Sequence, residues 1–393
     1  MTPKSASGLS DTHVRLVRSP VNHGTAVAFI RRRFERDRSR PEALSEGIIG
    51  PPIPERSDLW ARKNRVDVIV EGFAYAPHGS ARASEVRLRI EGSRGARLDR
   101  TIAVFGPRHV VRRSGALRFS EPEPFERMAI DGEHAYGGID SRVTIPEGTL
   151  LTPAAFIDHP GLYPRNRAGK GYCVEEPLEG MALPELEDPS DLLSPDRITV
   201  GDPRNWHTMP LPWTFDWSGP LTFPRCAWAS MDAWYPAPPG ATFAEVARGF
   251  LPADFRDRTE GLQMAPEYFQ EASPGMMMER IEGGEEISIT GMHPTKETIP
   301  LTLPCPPDVE IALDGQAESV EVRAHTLIFR PHEESFSIVY AAQRPLNRAL
   351  IGGIHRRFPV TVRVDGGSEV ECVAPPTALD VVGHLGAGRS RPS

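Results

Sequence analysis

Asp131-Gly132-Glu133-His134 places two carboxylates and an imidazole within four residues, just ahead of Tyr136-Gly137-Gly138. Such groups do acid–base work or ligate a metal ion. The same spelling suits a charged turn between strands, because Asp-Gly supplies turn geometry. Catalytic and ligand sets usually recruit distant segments, so the turn is the expected role. Asp202 and His207 form a similar pair without a third partner. The chain has no G-x-x-x-x-G-K-[ST], H-E-x-x-H or G-x-S-x-G motif. Gly386-Ala387-Gly388 lies in a Gly-, Pro- and Ser-rich tail with no strand before it. The expectation is a protein that is not an enzyme, with no cofactor and no metal; the alternatives are a hydrolase that uses carboxylates such as Asp131 and Glu133, or a carbohydrate-binding β-module that uses the tryptophans.

The residues suited to binding are more prominent. Trp206, Trp213, Trp217, Trp228 and Trp234 crowd one Pro-rich stretch. Tryptophan gives a large contact area at little entropic cost, so these rings serve either a partner or ligand surface, as in sugar-binding platforms, or the packing of an irregular core. Residues 31–40 carry six arginines, beginning Arg31-Arg32-Arg33, against Glu35 and Asp37. That run either docks an acidic partner or forms a solvated strand end, and Phe34 alone is too little stacking surface for single-stranded nucleic acid. Met276-Met277-Met278 is adaptable apolar filler.

These groups must be carried by strands. Residues 12–18, 25–33 and 65–75 alternate or run apolar, and 85–91 puts Val86, Leu88 and Ile90 opposite Arg87 and Arg89. Further strands are expected at 101–105, 109–112, 117–119 and 125–130. In the last third they are expected at 286–290, 299–303, 309–313, 319–323, 326–329, 335–340, 358–364 and 369–373. Pro77-His78-Gly79 and Asp314-Gly315 supply turns. Short helices are expected at 242–248, 266–272 and 345–351. The fold class is therefore mainly β: an antiparallel β-sandwich or open-barrel sheets with a Pro- and Trp-rich irregular middle and a few short helices. The divisions are a tail (1–11), an N-terminal β domain (12–145), the irregular segment packed on the sheets (146–280), a C-terminal β domain (281–374) and a second tail (375–393).

Composition agrees. The chain holds 40 prolines and 35 glycines in 393 residues, well above the ~12% that the pair ordinarily makes up, which leaves little room for regular helix. A formal charge of −8 argues against a general polyanion binder. No apolar run reaches the ~18 residues of a membrane helix. The stretch 25–30 is too short for a signal peptide, and Cys173, Cys226, Cys305 and Cys372 include no C-x-x-C pair. Four isolated buried thiols in a reducing cytoplasm is the expectation.

Several phrases resemble a bacterial family catalogued as a domain of unknown function. They run from Asp67-Val-Ile-Val-Glu-Gly-Phe-Ala-Tyr-Ala-Pro77 through Pro124-Phe125, Met128 and Tyr136-Gly137-Gly138 to residues 166–172 (Asn-Arg-Ala-Gly-Lys-Gly-Tyr). They continue with Leu183-Pro184 to Pro189, Gly283-Gly284 to Ile287, Met292-His293-Pro294 and Thr326 to Phe329, in one order over residues 12–345. Members of that family accompany type VI secretion genes, beside the VgrG and PAAR spike proteins and their toxin effectors. The resemblance implies a cytoplasmic adaptor or chaperone that binds an effector and helps load it on the spike, with no catalytic residue to carry over. The chain departs from the family pattern at Trp206 to Trp217, where a Gly-rich, Phe-containing stretch is usual, and keeps only part of a Pro-Asp-Phe segment at residues 251–255.

Overall fold

A computed structural model describes residues 11–18, 24–36, 44–46, 63–143, 161–217 apart from 164 and 177, 270–345 apart from 314, 358–366 and 370–374. The first third gives β1 (Asp11–Arg18), β2 (Gly24–Arg36), β3 (Leu44–Glu46), β4 (Val66–Val70), β5 (Phe73–Tyr75), β6 (Ala83–Gly92) and β7 (Gly95–Phe105). It continues with β8 (Val110–Arg113), β9 (Ala116–Phe119), β10 (Arg127–Ala129) and β11 (Tyr136–Gly137). The middle holds only β12 (Lys170–Gly171), β13 (Leu186–Glu187) and β14 (Met277–Met278). The last third gives β15 (Glu286–Thr290), β16 (Thr298–Thr302), β17 (Val309–Leu313), β18 (Gln316–Val320), β19 (Val322–Arg330), β20 (Ser335–Pro345), β21 (Phe358–Val364) and β22 (Val370–Ala374). Short 3-10 turns at Pro77–Gly79, Pro195–Arg197, Pro203–Thr208 and Pro331–Glu333 are the helical elements among the described residues.

The fold is mainly β and sandwich-like. A seven-stranded sheet runs β1-β2-β20-β19-β4-β14 with β3 added on β2, a five-stranded sheet runs β13-β7-β6-β15-β16, and a four-stranded sheet runs β18-β17-β21-β22. All three contribute to one apolar core, with Ile30, Leu88, Ile289, Ile311 and Phe336 fully or almost fully buried. Each of the two larger sheets combines strands from before residue 146 and after residue 280. Pairing is mostly antiparallel, but β4 lies parallel to β19 and β11 parallel to β12. Sequence alternation reports which way side chains point, not which strand lies alongside, so it carries no signal of these parallel contacts.

Register explains the burial. Phe34, Phe336 and Phe329 stand in one cross-strand row on the core face of the seven-stranded sheet, with ring centroids 5.0 and 5.9 Å apart. Because side chains alternate, Arg31 and Val339, then Ser337 and Ile328, form rows on the opposite face. Every residue of β4 is buried, as befits a strand covered on both faces. Asp67 within it is fully buried and accepts hydrogen bonds from Gln270 Nε2 (2.9 Å), Glu271 N (2.9 Å) and Ala272 N (3.2 Å), besides the buried Lys63 ammonium. Those bonds tie the end of the irregular segment to the sheet. Pro300 stands in β16, an outermost strand, where a missing N–H interrupts no ladder.

Two expectations change. Residues 270–272 are not helical, since Ala272 bridges Trp217, while the rest of 266–272, all of 242–248 and 346–351 lie outside the described residues. Cys173 is buried with a free thiol, but the free thiol of Cys305 is exposed, because Cys305 sits in the loop between β16 and β17. Among the described residues no helix is long and apolar enough to cross a membrane.

Candidate functional site

The DGEH segment is a turn. Asp131 Oδ1 accepts from the N–H groups of Glu133 (3.0 Å) and His134 (3.3 Å) and lies 2.7 Å from His134 Nδ1. The hydrogen bond with Asp131 raises the His134 pKa against the opposing effect of burial. Burial pushes the Asp131 carboxyl up, yet the His134 contacts hold it below its ordinary value. Among the described residues no group of three or more His, Cys, Asp or Glu is placed to hold a metal.

Around this turn, three of the sequence phrases close into one knot. Asn166 Nδ2 donates to the carbonyls of Gly132 (2.6 Å) and Tyr136 (3.1 Å), and its own carbonyl accepts from Gly138 N (2.8 Å). Lys170 N reaches the Ala135 carbonyl at 3.0 Å, and Glu185 N and Leu186 N share the His134 carbonyl. The backbones approach so closely that a Cβ on Gly137, which has φ +152°, would overlap the Asn166 carbonyl oxygen. The Lys170 ammonium bonds both Glu185 oxygens (2.7 and 2.9 Å) beneath the turn. Here Tyr136, Tyr163 and Tyr172 pack ring to ring, with centroids 5.1 and 5.2 Å apart, and Trp206 stands edge-on to Tyr163. Nearby, Asp140 takes the Arg142 guanidinium in two bonds and the N–H groups of Val174 and Glu175. Burial works against that carboxylate, but these donors hold it well below the usual range. Burial pushes the adjacent Cys173 thiol up to about 11, which leaves it a poor nucleophile.

Beside the knot opens a cleft of about 400 Å³. Its floor is the far face of the seven-stranded sheet: Arg31 from β2, Ile328 and Arg330 from β19, and Ser337 and Val339 from β20. The walls are Glu71 and Gly72 between β4 and β5 with Phe73 of β5, Ala129 of β10 with Ile130 and Asp131 after it, and Asp216 with Trp217. Arg330 pairs with Glu71 at 2.8 Å and lies 3.5 Å from Ser337 Oγ. Gly72 is hemmed in by the Pro331–His332 turn and Met292, which fixes how close that turn comes to the wall. Met292 is buried, and His293 Nδ1 accepts from Thr295 N and Lys296 N (both 3.1 Å), so that phrase is a turn lock.

Three residues singled out by type therefore meet at this cleft: Arg31, Asp131 and Trp217. The others disperse. Trp206 is buried at 6% exposure in the knot, with the Arg165 guanidinium 5.0 Å from its ring. Trp213 is half-buried, donates to the Thr101 carbonyl at 2.8 Å and lies beneath Arg100. Arg32 pairs with Asp365 (2.9 Å) and Arg33 with Glu333 (3.1 Å), because alternation sends successive arginines of β2 to opposite faces. Trp228 and Trp234 lie outside the described residues. Met276 and Met278 are core filler. Sequence reading missed Glu71, Phe73, Arg330 and Ser337, although the alternation of β19 does place Arg330 on the side of Ile328.

The fold and cleft define a strand-built scaffold that carries a cleft of mixed polarity. A family described as "Uncharacterized protein conserved in bacteria (DUF2169)" matches residues 37–341, more than half of the chain, and the chain belongs to that family. No curated protein and no solved structure matches it.

Proposed function

We propose that this chain is a non-enzymatic adaptor that grips another protein through the cleft beside Trp217. In the finer form, the partner is a toxin effector that the chain holds in the bacterial cytoplasm and helps load onto the VgrG/PAAR spike of a type VI secretion system. One observation carries the reading: segments far apart in sequence, two of them phrases of the family resemblance, meet around one cleft that offers aromatic rings, apolar floor and both signs of charge. Interaction sites combine those features, with an aromatic anchor inside a polar rim. The test is co-purification of the chain with the products of adjacent effector and spike genes, together with effector delivery after deletion. Loss of effector stability and delivery is the expected result; normal delivery without the chain removes the reading.

The Asp131–His134 pair at the cleft wall favours a second reading, a carboxylate-dependent hydrolase acting on glycans or peptides. A variant with alanine at both Asp131 and Glu133, screened on model glycans and peptides, separates the two. Hydrolysis by the parent chain that disappears in the variant would replace the adaptor reading.

A further inference from the structure

We propose that the cleft accepts a short extended peptide segment in which an acidic and a basic side chain flank an apolar one. The inference deepens the binding reading above and rests on it.

The charges in the cleft are sorted by element. Arg31 and Arg330 rise from the sheet that forms the floor, whereas Glu71, Asp131 and Asp216 come from the walls. Between them the surface is apolar, with Ile328 and Val339 on the floor, Ile130 on one wall and Trp217 on another. A ligand carrying one sign alone would meet repulsion from the cleft groups of that sign. A ligand carrying both signs can turn each toward its opposite and bury its middle against the apolar floor. Arg330 is already oriented by Glu71 and Ser337, so less side-chain freedom is lost when a carboxylate arrives.

The spacing favours a peptide. On β19, Ile328 and Arg330 point to the same face two residues apart, a repeat of about 6.6–6.8 Å. The side chains of an extended peptide repeat at the same interval on each face. An acidic residue over Arg330 thus sets an apolar residue, two positions on, over Ile328 and Val339. The basic residue of the same segment finds its partners on the walls, where the carboxylates of Asp131 and Asp216 and the Trp217 ring together suit a cation.

The probe is a fluorescent peptide, blocked at both ends, of sequence Glu-Ser-Leu-Ser-Lys, titrated by anisotropy against the full chain up to millimolar protein. Controls replace Lys by Glu, Glu by Lys, or Leu by Ser. The expected result is saturable one-site binding of the dipolar peptide, with each control at least about tenfold weaker. Arg330→Gln and Asp216→Asn are each expected to weaken it about tenfold, Arg330→Lys less, with unfolding midpoints reported alongside to show that the variants fold. Equal binding of a single-sign peptide, binding unchanged in both variants, or no saturation would overturn the proposal. If the dipolar peptide fails while the effector still co-purifies, only the cleft chemistry is wrong; if the peptide binds and no effector co-purifies, the adaptor reading falls alone.

Discussion

The knot at Asn166 and the cleft beside Trp217 share Asp131 as a boundary, yet they are built on opposite terms. In the knot, backbone groups bond backbone or Asn166 at 2.6–3.1 Å, and glycines stand where a single Cβ would overlap a carbonyl. In the cleft, side chains of both signs, Arg330 and Glu71 paired among them, stand around apolar surface. The first arrangement has one solution and tolerates no added atom. The second leaves room for a guest. The molecule thus sets a tightly closed backbone knot beside a cleft lined by charged and apolar side chains.

Substitutions sharpen that contrast. The largest effect is expected for Asp67→Ala, which removes the buried carboxylate that pairs with the Lys63 ammonium and accepts from the N–H groups of Glu271 and Ala272. Breaking a buried pair from one side costs about 3–5 kcal/mol, to be read as a lowered denaturant midpoint. Gly137→Ala follows, at about 3 kcal/mol, from strain at φ +152° and overlap with Asn166. A Gly137→Ala protein as stable as the parent would mean that the knot yields and that the contrast is false. Trp217→Ala should cost only about 1–2 kcal/mol, because its ring is half-buried rather than enclosed, while partner capture is sharply reduced.

The smallest effect concerns pH. His134 has a raised pKa in the fold, so its contribution is complete below the ordinary imidazole value and fades as pH rises through the raised one. Asp131 has a lowered pKa, so its contribution is complete above the ordinary carboxylate value and fades as pH falls. The pair therefore stabilises most between about pH 4 and 6.5. Thermal melts of His134→Ala against the parent should differ more at pH 5.5 than at pH 8.5, by less than about 1 kcal/mol for a pair this exposed. An equal difference at both values would show that the imidazole acts only by packing.

Much of the fold was legible because strands announce themselves locally. Val86, Leu88 and Ile90 against Arg87 and Arg89 is a two-residue period, and those three apolar side chains are fully buried in the structure. Partners and register were not legible, since β2 reaches β20 across some three hundred residues and no local pattern records the distance. The cleft was half legible for the same reason. Arg31, Asp131 and Trp217 drew notice one at a time by chemical type, but their meeting depends on the pairing of Arg31 with Val339 and of Ile328 with Ser337. The structural duty of the phrases was hidden too: Asp67 reads as a polar interruption in an apolar run until its donors from residues 270–272 are in place.

Pro300 bears on how copies of this chain behave when crowded. A sheet margin with a full set of outward amides invites a neighbouring molecule to add itself on, and the process repeats without limit. A ring that removes one amide in the middle of a five-residue margin leaves a gap that no incoming backbone can fill. Among the described residues the five-stranded sheet ends at β16, and a backbone adding to that margin would meet one amide too few.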